Sequence, residues 1–131
     1  MIIDSSIWIN YLNQKIDDHH LNYLLINFPE YIGVTGIIIT EVLQGTANNS
    51  SFKIAEESLY SCEYYNDAGI NTYRKAAEIY RTCRNNGFTI RSSNDCIIAS
   101  IALERDLDIY TYDKDFYKIS QVFPIRLYNP Y

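Results

Sequence analysis

Ser92-Ser93-Asn94-Asp95-Cys96-Ile97-Ile98-Ala99-Ser100-Ile101-Ala102 is the stretch around which the chain is organised. A hydroxyl at Ser92 or Ser93 can accept hydrogen bonds from the free N–H groups of a first helical turn, so a helix is expected to begin there. Cys96, Ile97, Ile98, Ala99, Ile101, Ala102 and Leu103 then make most sides apolar, which predicts a largely buried helix. Asp95 falls in its first turn. The helix dipole favours a carboxylate at that place, yet water is scarce around a buried helix and no Lys or Arg follows closely on the same face. Asp95 is either a simple first-turn acid or one part of a larger group, and other acids in similar positions bear on the choice.

Upstream, Met1-Ile2-Ile3 reads as a short buried strand ending at Asp4. Ser5 or Ser6 caps a helix through Ile7, Trp8, Ile9, Tyr11 and Leu12. Asp17-Asp18 opens a second helix, stopped by Pro29. Tyr31-Ile32-Gly33-Val34 reads as a second strand, and Thr35 caps a helix that stops at Gly45. A polar break from Asn48 to Ser51 precedes another helix, and Asp67 starts a longer one reaching Asn85-Asn86-Gly87. Downstream of the central stretch, Asp108-Ile109-Tyr110-Thr111-Tyr112 and Ile125-Arg126-Leu127-Tyr128 have strand character. Strands alternating with helices need crossover connections, which implies parallel pairing and an α/β sandwich. No linker or repeat interrupts the pattern, and 131 residues suit a single domain, 1–131.

Composition excludes several classes. Hydrophobic residues make up 47%, too many for a disordered chain. Apolar runs are too short to span a bilayer, and Met1-Ile2-Ile3-Asp4 lacks the basic start of a signal peptide. A cytoplasmic protein without membrane contact is expected. Cys62, Cys83 and Cys96 form no C-x-x-C pair, so reduced, buried thiols are expected rather than disulfides or zinc ligands. A net charge of −5 argues against a surface that attracts nucleic acid everywhere. It leaves room for a nuclease whose acids gather around cations.

The end of each strand in an open parallel sheet lies at one edge, where sites form. Asp4 ends the first strand, Asp113 and Asp115 follow a late strand, and Asp95 heads a helix that can face the same rim. Glu41 lies inside the helix after the second strand, among Ile37, Ile38, Ile39, Val42 and Leu43, with no basic residue three or four positions away. A buried carboxylate without a local partner is protonated or binds a cation. Each acid also has a plain role open to it: a solvated helix face for Glu41, a strand end for Asp4, turn chemistry for Asp113 and Asp115. Taken together, clustered carboxylates stay ionised only around metal, and an oxygen-only set favours Mg²⁺ or Mn²⁺. That chemistry fits hydrolysis of a phosphodiester by an activated water.

At these residues a family resemblance appears. Met1-Ile2-Ile3-Asp4-Ser5-Ser6-Ile7-Trp8-Ile9 resembles the opening of PIN-domain ribonucleases, in particular the VapC toxins of type II toxin–antitoxin systems. Thr40-Glu41-Val42-Leu43-Gln44-Gly45 resembles their second motif, Ile90-Arg91-Ser92-Ser93-Asn94-Asp95-Cys96-Ile97-Ile98-Ala99 their third, and Thr111-Tyr112-Asp113-Lys114-Asp115-Phe116 their fourth. The resemblance implies a three-layer α/β/α sandwich with a central, mostly parallel sheet. It implies a Mg²⁺-dependent endoribonuclease, with Mn²⁺ as a possible substitute, usually a homodimer, acting on RNA and held inactive by a VapB-like antitoxin. It implies metal-binding or water-activating roles for Asp4, Glu41, Asp95 and a fourth acid, either Asp113 or Asp115. Ser6 matches a small hydroxyl that follows the first acid, placed for a metal-bound water or a phosphate. Arg91, just before the third motif, is the best candidate for substrate charge near the site. Two other readings compete: a catalytically silent PIN-like interaction domain, and a receiver-like phosphoacceptor module that would need Lys114 as its phosphate-holding lysine.

Overall fold

Short apolar runs become the strands, and hydroxyl or amide side chains set the helix starts. The computed structural model describes residues 1–14, 18–66 and 69–129, which form two compact units, Met1–Asn66 and Asp67–Asn129. Asp17 and Asp67, read above as helix openers, lie outside the described residues.

In the first unit, strand β1 (Ile2–Ile3) leads into helix α1 (Ser5–Leu12), followed by α2 (His19–Asn27) and a 3₁₀ turn at Pro29–Tyr31. Strand β2 (Gly33–Val34) precedes α3 (Gly36–Gln44), α4 (Asn49–Tyr60) and strand β3 (Glu63–Tyr64). The three strands lie parallel in the order β3-β2-β1, with Ile2 opposite Gly33 and Gly33 opposite Glu63. The expected Thr35 cap is present, its Oγ1 accepting from the Ile38 N–H at 3.4 Å, and within the polar break it is Asn48 that caps α4, its Oδ1 accepting from the Ser51 N–H at 2.9 Å. One cap differs from expectation. Asp4, not Ser5 or Ser6, holds the cap position of α1, and it does so through its carbonyl, which accepts from the Ile7 and Trp8 amides. Ile2, Ile3, Ile7, Trp8, Ile38, Val42 and Leu59 are buried, and α3 packs on both α1 and α4.

In the second unit, α5 (Ile70–Asn85) packs along α6 (Ser93–Arg105), burying Thr72, Ala76, Ile79 and Cys83 on one side and Cys96, Ile98, Ala99 and Ser100 on the other. The Ser100 hydroxyl donates to the Thr72 carbonyl at 2.8 Å and the Thr72 hydroxyl to Glu104 Oε2 at 3.1 Å, so both buried hydroxyls in this seam are satisfied from across it. Strand β4 (Asp108–Tyr110), helix α7 (Lys114–Ser120) and strand β5 (Arg126–Leu127) complete the unit, with β4 and β5 parallel. The buried helix read from the central stretch is present, and Ser92 caps it by accepting from the Asn94 N–H.

β1 with β2, β2 with β3 and β4 with β5 each pair in parallel, as the strand–helix alternation requires. The cysteines are free, and burial pushes the Cys96 thiol up to about 12. No helix among the described residues is long and apolar enough to cross a membrane.

The Tyr65 ring, together with the pairing of β2 on β1, leaves no room for a side chain at Gly33. Its N–H donates to the Met1 carbonyl at 2.6 Å, and a Cβ there would meet the Tyr65 ring at 2.7 Å and the Met1 carbonyl at 3.3 Å. Gly33→Ala is expected to lower stability by about 1–3 kcal/mol, the usual cost of overpacking. A urea midpoint unchanged from the parent would contradict this packing.

Candidate active site

The strand β4 ends at Tyr110, and three residues later the chain turns into α7 with Asp113 at the cap. Asp113 Oδ1 accepts from the Asp115 N–H at 2.9 Å, while the Asp113 N–H donates to Thr111 Oγ1 at 2.9 Å. This turn carries Asp113 and Asp115 toward Asp95 in the first turn of α6. Carboxylate oxygens of Asp95, Asp113 and Asp115 lie within 4.8 Å of one another. Three like charges that close are tolerated only if cations enter the group.

Two cations are supplied by the chain itself. Arg91 Nε donates to Asp115 Oδ2 at 3.1 Å, the Arg91 backbone N–H donates to the same oxygen at 2.9 Å, and Arg91 Nη2 donates to Asp113 Oδ1 at 2.9 Å. Lys118 Nζ donates to Asp115 Oδ1 at 3.1 Å and to the Thr89 carbonyl. Burial alone would raise the Asp115 carboxyl. The Arg91 amide and guanidinium and the Lys118 ammonium outweigh it, and Asp115 is held below the usual carboxylate range. Arg91 in turn is held up, first by its hydrogen bond to Asp115.

The two aspartates of the fourth motif therefore differ in kind. Asp115 is buried at 1% exposure, and both its oxygens already accept from cations. Asp113 is half-buried, and the Arg91 guanidinium and the Asp115 N–H both donate to its Oδ1. An oxygen-only donor set centred on Asp95 and Asp113 fits a hard divalent cation; Asp115 fits the part of an internal counter-charge that fixes Arg91.

The first unit holds the other acids named from sequence. Asp4 is 4% exposed. Its carboxylate makes no cap hydrogen bond to α1 and accepts from the exposed Ser6 hydroxyl at 2.8 Å. Glu41 lies on α3 beside buried Val42 and is itself half-buried, so it is neither on a fully solvated face nor sealed in the core. Lys114 opens α7 exposed to solvent, and it is Lys118, not singled out from the sequence, that reaches the acids.

The PIN-domain family model matches residues 1–122. The chain belongs to the PIN-domain family. Ribonuclease VapC11 of Mycobacterium tuberculosis is 30% identical over 124 residues, which covers 93% of this chain and 92% of that protein. A VapC ribonuclease of Mycobacterium bovis matches to the same extent. Among solved structures, VapBC2 from Rickettsia felis, bound to a DNA fragment from its promoter, superposes with a TM-score of 0.72 at 18% identity, covering 98% of this chain and 96% of that one. VapBC from Salmonella typhimurium, bound to DNA, gives a TM-score of 0.76 at 17% identity over 97% and 95%. At these identities the solved structures speak to the fold, and the PIN-like α/β fold expected from the sequence is the one found. Membership of the PIN-domain family, with VapC ribonucleases as relatives, sets the receiver-like alternative aside.

The depressed pKa of Asp115 has a sign. Its charged form stabilises the fold above its unfolded value, near pH 4, and that contribution drains away as pH falls through the lower folded value. The unfolding midpoint of the parent should therefore fall between about pH 5 and pH 3, and fall less steeply in Asp115→Asn. Parallel acid limbs would show that the pair with Arg91 and Lys118 contributes nothing.

Proposed function

We propose that this chain is the toxin of a type II toxin–antitoxin pair, a metal-dependent endoribonuclease that hydrolyses RNA phosphodiester bonds. The observation that carries the reading is the closeness of the Asp95, Asp113 and Asp115 carboxylates in a chain whose curated relatives are VapC ribonucleases. Asp4, Glu41, Asp95 and Asp113 are the proposed metal-holding acids, on the strength of the four family motifs. What favours Asp113 over Asp115 as the fourth is that Asp115 is already neutralised by Arg91 and Lys118. Mg²⁺ is the proposed ion, with Mn²⁺ able to replace it, since hard oxygen donors suit both.

When bound, such an ion acidifies a water and offsets charge on phosphoryl oxygens. The chain's own residues prepare the place. The Ser6 hydroxyl fixes one oxygen of the Asp4 carboxylate and keeps its own acceptor side for a water. Arg91 spends Nε and one terminal nitrogen on Asp115 and Asp113, and with 71% of its side chain exposed it retains donors for a substrate phosphate. In this way Arg91 both holds the acids together and offers charge to RNA.

A VapB-like antitoxin is the proposed inhibitor. Two observations support it: the solved neighbours include VapBC complexes, and the first unit exposes Ile26, Ile54, Tyr60 and Tyr64, apolar area suited to a partner. A homodimer, one functional domain over 1–131 and a cytoplasmic location are proposed with it.

The test uses purified chain, RNA and Mg²⁺. Asp4→Asn, Asp95→Asn and Asp113→Asn should each lower cleavage by more than about a hundredfold while leaving the fold intact, because each removes charge from the ion's donor set. EDTA should abolish cleavage. Cleavage retained in Asp95→Asn, together with retained growth arrest on expression, would defeat the reading and favour a silent interaction domain.

A further inference from the structure

Helix α5 is basic in an acidic chain. Arg74, Lys75, Arg81 and Arg84 stand on it against Glu78 alone, whereas the whole chain carries −5. Glu78 is shared, 3.7 Å from Arg74 and 3.4 Å from Lys75. Arg84 lies over the Tyr80 ring, 5.8 Å from its centre. Among the described residues Arg81 has no acidic partner.

Beside these cations is a cavity of about 360 Å³. Tyr73, Ala77, Tyr80 and Arg81 of α5 and Ser93 and Ile97 of α6 line it, and its walls are almost wholly apolar. Tyr73 and Tyr80 are seven residues apart, two helical turns, so they share a face. The small side chain of Ala77 between them leaves the slot open. The volume lies at the lower end of small-molecule sites, which begin at about 300 Å³.

We propose that this slot binds one unpaired base of the RNA substrate, with Arg81 taking an adjoining phosphate. This rests on the ribonuclease reading and adds a specificity element to it. Tyrosine rings stack on any base face, and a neighbouring free guanidinium suits the backbone that carries the base. A second copy of the chain fits the same face poorly. A twofold axis there would set the arginines of α5 against those of the other α5, like charge against like charge.

The slot is also placed to act on a flanking nucleotide. Ser93 lines it, and Asp95 is two residues further along the same first turn of α6. Residues two apart on a helix look to nearly opposite sides of a cylinder about 10 Å across. The slot and Asp95 thus lie on different sides of α6, and the bound base is not that of the nucleotide whose phosphate is cut.

The probe is a short single-stranded oligoribonucleotide with 2-aminopurine moved through each position, added to the Asp95→Asn chain. Quenching at one position is expected, since a stacked 2-aminopurine loses fluorescence. Filling the slot with Ala77→Phe, or replacing a ring wall with Tyr80→Leu, should remove that quenching and weaken binding about tenfold. Circular dichroism and mass in solution should stay as in the parent. Quenching and affinity equal to the parent in both variants overturn the proposal. So does a parent dimer that becomes a monomer in Ala77→Phe, which would assign the slot to a second copy. If the wild-type chain cuts RNA and the two variants bind and cut it identically, the base slot alone falls. If the wild-type chain with metal cuts no RNA, the ribonuclease reading falls and the slot with it.

Discussion

Arg91 is the constraint on which the candidate site depends. It reaches Asp115 through both its backbone and its side chain, and Asp113 through the other end of the guanidinium. Without a cation at that point, three carboxylates within 4.8 Å would repel, and burial of Asp115 would add to the cost. Lys118 supplies the second charge from the next turn of α7. Set against Arg91 and Lys118, the three acids keep an excess of one negative charge, which a divalent ion is suited to meet. The fixed pair does more than neutralise. By tying the residues before α6 to the start of α7, it sets the first turns of both helices, and hence the positions of Asp95 and Asp113.

Much of this was legible in the sequence because it depends on local rules. The apolar runs at Ile2–Ile3 and Asp108–Tyr110 became strands, and Thr35, Asn48 and Ser92 became caps, since a short polar side chain before an apolar helix has few other uses. Strand β3 gave no such signal. Glu63 and Tyr64 are both exposed, so neither an apolar run nor an alternation marks them; their pairing comes from β2 alone. Helix α7 was hidden for another reason. Asp113-Lys114-Asp115 carries turn chemistry, and the helix after it spans only 7 residues.

The choice between Asp113 and Asp115 could not be made from their spacing. It turns on contacts with Arg91, 22 and 24 residues away, for which no periodic rule exists. Lys118 was likewise unremarked, although a lysine three residues after an acid on a helix is the local signal that would have found it. Asp4 shows the reverse case. The strand end was readable, but the cap was read one or two residues late, at Ser5 or Ser6; the structure puts Asp4 there, its carbonyl doing the capping while its carboxylate accepts from Ser6.

A division of labour between neutralised and ion-holding carboxylates predicts distinct metal-binding behaviour. Calorimetric titration of Mn²⁺ into the purified chain measures it without reference to RNA. Binding is expected in the parent, lost in Asp95→Asn and Asp113→Asn, and weakened but kept in Asp115→Asn, which loosens the Arg91 tie without removing an ion donor. No binding in the parent, or equal binding in all four chains, would contradict a metal centre built on these acids.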